Sequence, residues 1–159
     1  MGRYASHTEV SSSSSRTEIE ETLSRYGADR FIYGWEEGGA IVGFTMHNRQ
    51  IRFYLPMPDK SDRVFTHTPK QGKLRSPEAQ AKEYDQAVRQ KWRALALVIK
   101  AKLEAVESGI TDFEDEFLAH ITLPDGRSVG DFMKPQIEQA YLSGDMPRLL
   151  PSPSGSGKR

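Results

Sequence analysis

Lys82, Arg89, Arg93 and Lys100 follow one another at intervals of 7, 4 and 7 residues. At about 100° per residue those intervals close on one narrow sector of a helix. A line of cations on a rigid rod neutralises successive phosphates, and such contact weakens steeply as salt rises. Lys70, Lys73 and Arg75 precede the line in the same basic stretch. These seven are the candidate nucleic-acid-binding residues. Lys91 and Lys102 fall on the opposite flank of the helix. The competing reading is a solvated face whose cations pair with acidic neighbours, among them Glu104 and Glu107.

Other residue types invite a chemical reading and carry less. Phe31, Tyr33 and Trp35 share one face of a strand, and Arg52 and Tyr54 share the outward face of another. Aromatic rings on an open sheet face stack on unpaired bases, whereas the same rings on the inner face are core. Asp112, Glu116 and His120 recur at i, i+4 and i+8, which on one continuous helix would suit a metal or an acid–base pair. Three ligands on so short a helix converge poorly, and a solvated acidic face is the plainer reading. His7, His47 and His67 show no ligand spacing. The tail PSPSGSGKR contains GSGK, without the upstream glycine, strand and following helix of a phosphate-binding loop. Nucleophile elbow, zincin motif and dinucleotide fingerprint are all missing. A non-enzymatic protein is therefore expected, with no catalytic residues, metal or cofactor.

The elements that position these residues read as α+β. Thr17 and Glu20 form a capping box, Ile19, Leu23 and Tyr26 share a face, and Gly27 closes the helix. Three β-rich segments follow, Arg30–Trp35, Ala40–Met46 and Arg49–Leu55, joined by turns at Glu36–Gly39 and His47–Asn48. Their period-two alternation predicts a small antiparallel meander with one buried face. Residues 56–77 read as a long basic loop carrying Pro56, Pro58, Pro69 and Pro77. From 78 to 109 the apolar residues Tyr84, Val88, Trp92, Leu95, Ile99, Leu103, Val106 and Ile110 predict one long amphipathic helix of roughly nine turns. So long a stripe outreaches a three-stranded sheet, and part of it is expected to meet C-terminal helices or another subunit. Thr111 and Glu114 suggest a short helix through about Ala119, then a strand at Ile121–Leu123 and a turn at Pro124–Arg127. Ser128 with Asp131 caps a final helix that Gly144 ends, completing a C-terminal helical pair. Residues 1–16, with five serines at 11–15, read as a flexible segment with an edge strand over 8–12 as an option. Residues 17–150 read as a single domain and 151–159 as a disordered tail.

Composition narrows the field further. The 159 residues include no cysteine, which excludes disulfides, cysteine–zinc sites and thiol chemistry. No run of about 18 apolar residues suggests a membrane span, and MGRYASHTEV lacks the apolar core of a secretory signal. The net charge is zero, with 22 bases against 22 acids. Its distribution is uneven: residues 49–102 hold thirteen bases and five acids, and residues 103–145 hold two bases and ten acids. A +8 block therefore abuts a −8 block inside one helix. Such asymmetry points to a polyanion partner, two faces of opposite sign, or self-association.

The stretch WRALALVIKAKLEAVESGITDFEDEFLAHITLPDGRSVGDFM, Trp92–Met133, resembles an uncharacterised family of small proteins encoded by tailed bacteriophages and prophages. PQIEQAYLSGDMPRLLP, Pro135–Pro151, looks like the same family's ending, and the N-terminal half has the matching order of helix, aromatic strand and LPMP strand exit. The polyserine run departs from the mixed, charged segment expected there. The resemblance implies a bacterial host cytoplasm and carries no functional residues with it. The leading expectation is a phage accessory protein that binds nucleic acid in replication, recombination or genome protection. The alternative is a protein-interaction or oligomerising counter-defence protein that inhibits a host defence factor, docking through its opposite charge blocks, or sequesters a nucleotide signal in a pocket beside the sheet.

Overall fold

A computed structural model describes residues 3–146 of the chain. The order is α1 (Arg3–Arg25), β1 (Asp29–Glu36), β2 (Gly39–Met46), β3 (Arg49–Pro56), α2 (Arg63–Thr66), α3 (Pro77–Glu107), α4 (Phe113–Phe117), a 3₁₀ turn at Leu118–His120, and α5 (Val129–Ser143). The fold is α+β, as the alternation and the helical stripe required. The tail 151–159, with its GSGK, lies outside the described residues.

The meander forms because each strand offers an apolar residue at every second position. Ala40, Val42, Phe44 and Met46 of β2 and Ile51, Phe53 and Leu55 of β3 are buried. The sheet has the order β1-β2-β3, antiparallel throughout. His47 and Asn48 both take positive φ, 49° and 59°, the twist a two-residue hairpin needs. A bulge between Asp29 and Ile32, with Arg30 at φ 53°, shifts the start of β1. Ile121 bridges Ile51 on the outer edge of β3, and Thr122 N–H donates to the Gln50 carbonyl. The expected strand at Ile121–Leu123 is thus reduced to isolated bridges, the second joining Thr122 to Ser128.

Helix α3 starts where Ser76 accepts a hydrogen bond from Ala79 N–H and Pro77 occupies the first turn. It ends at Glu107 before Gly109, at φ 77°. Its 31 residues span about 46 Å. Val88, Trp92, Leu95, Ala96, Ile99 and Leu103 are buried in a core shared with the inner sheet face, Ile19 and Leu23 of α1, and Phe113 and Phe117 of α4. Tyr84 and Val106 pack partly against this core, while Ile110 lies past the helix end and is 82% exposed. The stripe's excess length is taken up mainly by α1 rather than by C-terminal helices. Tyr33 and Trp92 meet with ring centroids 6.4 Å apart, and the Arg16 guanidinium lies 5.8 Å from each. The buried Trp92 indole N–H has no acceptor among the described residues, a cost that the ring's large apolar area outweighs.

Three boundaries differ from the sequence reading. The first helix begins at Arg3, so 8–12 is helical, not an edge strand, and Thr17 sits inside the helix, donating its hydroxyl to the Ser13 carbonyl. Once Ile19 and Leu23 anchor the helix in the core, each residue added N-terminally gains a hydrogen bond without a new nucleation cost. The loop at 56–77 is structured: it holds α2, a His67–Leu74 bridge, and a buried Phe65 set edge-on to Tyr84 at 5.6 Å. The cap of α4 is Asp112, not Thr111, because the Asp112 carboxylate accepts from Asp115 N–H at 2.9 Å. Ser128 caps α5 as expected, accepting from Asp131 N–H, and Gly144 ends it in the left-handed region.

Candidate functional site

The buried stripe fixes the rotation of α3, and the rotation fixes its outer face. Lys82, Arg89, Arg93 and Lys100 are all exposed. They lie about 100° round the helix from the Val88–Trp92–Ile99 seam and extend over roughly 27 Å. Arg89 and Arg93 are one turn apart, roughly 6 Å along the axis. None of the four makes an ion pair among the described residues.

The acidic block does not cover them. It meets the basic block in two ion pairs among the described residues, Arg49–Glu114 at 2.8 Å and Lys102–Glu116 at 3.1 Å. Lys102 also donates to the Glu116 carbonyl at 3.2 Å. Both bases stand on the α4 side of the molecule, off the stripe. Asp125 and Asp131 pair within their own block, with Arg127 and Lys134. Glu107 faces Tyr26, whose phenol it raises above its ordinary pKa first by hydrogen bonding and then, after burial, by its charge. Pairing with Glu104 or Glu107 therefore does not consume Lys100.

The other three predicted cations separate from these four. Lys70 and Lys73 are exposed in the turn closed by Thr68 N–H to the Lys73 carbonyl. Their loop docks on α3 through Phe65–Tyr84 and Arg75–Glu83. Tyr84 and Glu83 point about 200° and 100° round the helix from Lys82. The loop cations thus do not extend the helix stripe. Arg75 stands apart from both groups: its Nε donates to the His67 carbonyl at 3.1 Å, a terminal nitrogen lies 3.6 Å from Glu83, and its side chain is largely covered. A guanidinium with five donors is well suited to tie a loop to a helix, and Arg75 does so here.

Asp112, Glu116 and His120 do not converge. Asp112 is a helix cap, Glu116 pairs with Lys102, and His120 lies beyond α4 with its ring stacked on Phe53 at 4.1 Å. No group of three potential metal ligands occurs among the described residues. Phe31 and Tyr33 are partly buried core residues, but Trp35, on the same strand face, is 54% exposed at the sheet's end. Tyr54 faces outward, half exposed.

Sequence reading missed the cleft around Tyr54. It has a volume of about 570 Å³ and lies between the open sheet face and the first turn of α5, with Arg52, Tyr54, His120 and Lys134 in its wall. Alternation alone placed Arg52 and Tyr54 outward; nothing local in the chain announced that His120 and Lys134 would stand opposite them. No helix among the described residues is long and apolar enough to cross a membrane. Comparison of the chain with family models, curated proteins and solved structures finds no match. Chemically, the outer face of α3 presents a line of exposed cations of the kind that complements a polyanion.

Proposed function

We propose that this protein binds nucleic acid through the outer face of α3 without catalysing a reaction, as an accessory protein of a phage or prophage acting in the host cytoplasm. One observation carries the reading: Lys82, Arg89, Arg93 and Lys100 share an exposed sector of a 31-residue helix and are not taken up by the acidic block. A rod with cations at fixed intervals suits a phosphate backbone, whose contacts position a protein by charge and carry no sequence information themselves. Lys70 and Lys73, exposed on the loop, supply a second, separate contact.

Fluorescence anisotropy with single- and double-stranded DNA and RNA across a salt series tests the proposal. Binding to duplex DNA is expected to fall with a log–log salt slope of about −3 to −4 where the four α3 cations alone neutralise phosphates, and about −5 where Lys70 and Lys73 engage as well. Arg89→Glu with Arg93→Glu is expected to weaken binding at least ~10-fold while leaving the melting temperature unchanged. Absence of salt-dependent binding to every probe ends the proposal.

A second reading, a protein-interaction or oligomerising module, rests on α5. That helix buries no residue and exposes Ile137, Tyr141 and Leu142. Light scattering at low and high salt tests it: a salt-independent monomer removes the oligomer version.

A further inference from the structure

The cleft on the open sheet face is ordered by charge along its length. Glu36 and Glu37 line one end, at the β1–β2 turn. Arg52 and Lys134 line the other, beside Asp131 and the His120 ring, with Tyr54 between. Glu36 pairs with Gly39, and Arg52 pairs with Gly43 four residues along β2. Acid end and basic end are thus roughly 13 Å apart.

Tyr54 is held flat. Its hydroxyl donates to the Glu37 carbonyl at 3.1 Å, and its ring covers Gly39, where an added Cβ would sit 2.7 Å from the ring carbon Cζ. Only glycine fits beneath it. One ring face is therefore spent on the sheet, and the ring, half exposed, offers its other face to the cleft. This is a preformed stacking platform, with little rotamer freedom left to lose on binding.

At the basic end Arg52 is half-buried and makes no ion pair among the described residues. Asp131 lines the same end with its carboxylate 3.7 Å from Lys134, an exposed pair of little strength, so that two cations stand there against one acid. Ser128 and Gly130, from the N-terminal turn of the 15-residue α5, line the same end and add its positive dipole. A planar ring system stacked on Tyr54 would place an anionic tail against Arg52 and Lys134, and ring N–H donors against the Glu36–Glu37 end. Guanine presents two adjacent donors, the ring N1–H and the 2-amino group, which a carboxylate accepts together. Adenine presents one donor beside an acceptor, which a carboxylate repels.

We propose that this cleft is a binding site for a guanine mononucleotide, with the base stacked on Tyr54, its N–H edge toward Glu36 and Glu37, and its phosphate held by Arg52 and Lys134. The site is independent of the nucleic-acid reading, since α3 packs on the opposite, buried face of the sheet.

Isothermal titration of the full chain with GMP, AMP, guanosine, inorganic phosphate and a short G-containing single strand tests it. GMP is expected to bind at least ~10-fold more tightly than AMP, guanosine or phosphate alone. Tyr54→Ala is expected to weaken GMP by roughly 5- to 150-fold, the range for loss of one base stack, and Tyr54→Phe by no more than a few-fold. Arg52→Gln should lower GMP affinity while leaving guanosine unchanged. The Arg89→Glu, Arg93→Glu variant, folded by its melting temperature, should bind GMP as the parent does, so failure of the two sites is read separately. No heat with millimolar GMP, equal affinity for AMP, phosphate accounting for all the binding, or an unaltered Tyr54→Ala variant would each overturn the proposal. Binding of the oligonucleotide at Tyr54 in preference to GMP overturns a free nucleotide as the ligand.

Discussion

Helices α3 and α5 are both capped by a serine, and both carry apolar residues at helical spacing. Their fates differ. α3 buries Val88, Trp92, Leu95, Ala96, Ile99 and Leu103 between α1, α4 and the sheet. α5 buries none and packs chiefly on the 3₁₀ turn at Leu118–His120. An apolar stripe stabilises a helix only when another element presents a matching surface, since most helical stability in proteins comes from tertiary packing. α3 has such a surface on one side and is left with its cations on the other. α5 leaves Ile137, Tyr141 and Leu142 in solvent.

The sharpest way to break this contrast is at Trp92, which is 1% exposed. Trp92→Ala is expected to cost ~3–5 kcal/mol in denaturant unfolding, through lost burial and a cavity. A cost under about 1 kcal/mol would mean that α3 is not the keystone of the core. The two caps give a matched pair. Ser76→Ala removes the bond to Ala79 N–H and should lower global stability by ~1 kcal/mol. Ser128→Ala removes the bond to Asp131 N–H and should instead raise amide exchange within α5, with a smaller global effect. Equal global losses would show that α5 folds cooperatively with the rest.

His120 sits where the two regions join. Its half-buried ring has a pKa below the ordinary value, lowered first by burial and then by the Lys102 and Lys134 ammonium groups, with the Arg52 backbone carbonyl opposing. Folding therefore favours the neutral ring, and below about pH 6.5 the unfolded chain binds more protons than the folded one. Stability should fall as the pH drops through about 6.5, and level off once the folded ring is protonated. The melting temperature of the parent should drop more between about pH 7.5 and about pH 5.5 than that of His120→Gln, whose remaining slope reports the carboxylates. The smallest effect belongs to α5's outer side. Tyr141→Ser with Leu142→Ser should change stability by less than ~0.5 kcal/mol, since both are exposed. A larger loss would place α5 in the core after all.

Much of this was written in local pattern. The strand alternation, the hairpin at His47–Asn48, the long stripe and the Ser128 cap need only neighbours along the chain. So does the collinearity of Lys82, Arg89, Arg93 and Lys100. That Arg75 ties its loop to α3 is not legible in the same way, because its partners, the His67 carbonyl and Glu83, are brought beside it by a loop fold with no periodicity to read. The N-terminal extent of α1 is not legible in the sequence, because serine is a weak local signal either way and packing further along decides whether the helix propagates.

The sequence alone determined that a +8 block and a −8 block adjoin, that one long helix carries the boundary, and that its cations share a sector. Those are consequences of composition and of helical pitch. Only the tertiary structure decided that the blocks meet at Arg49–Glu114 and Lys102–Glu116, among the described residues, rather than along their whole length. Ion pairing acts over a few ångströms, so it follows which elements pack together and not which charges are close in sequence. The same holds for the cleft: Tyr54 and Lys134 are 80 positions apart, and only the seating of α5 beside the sheet puts them in one wall.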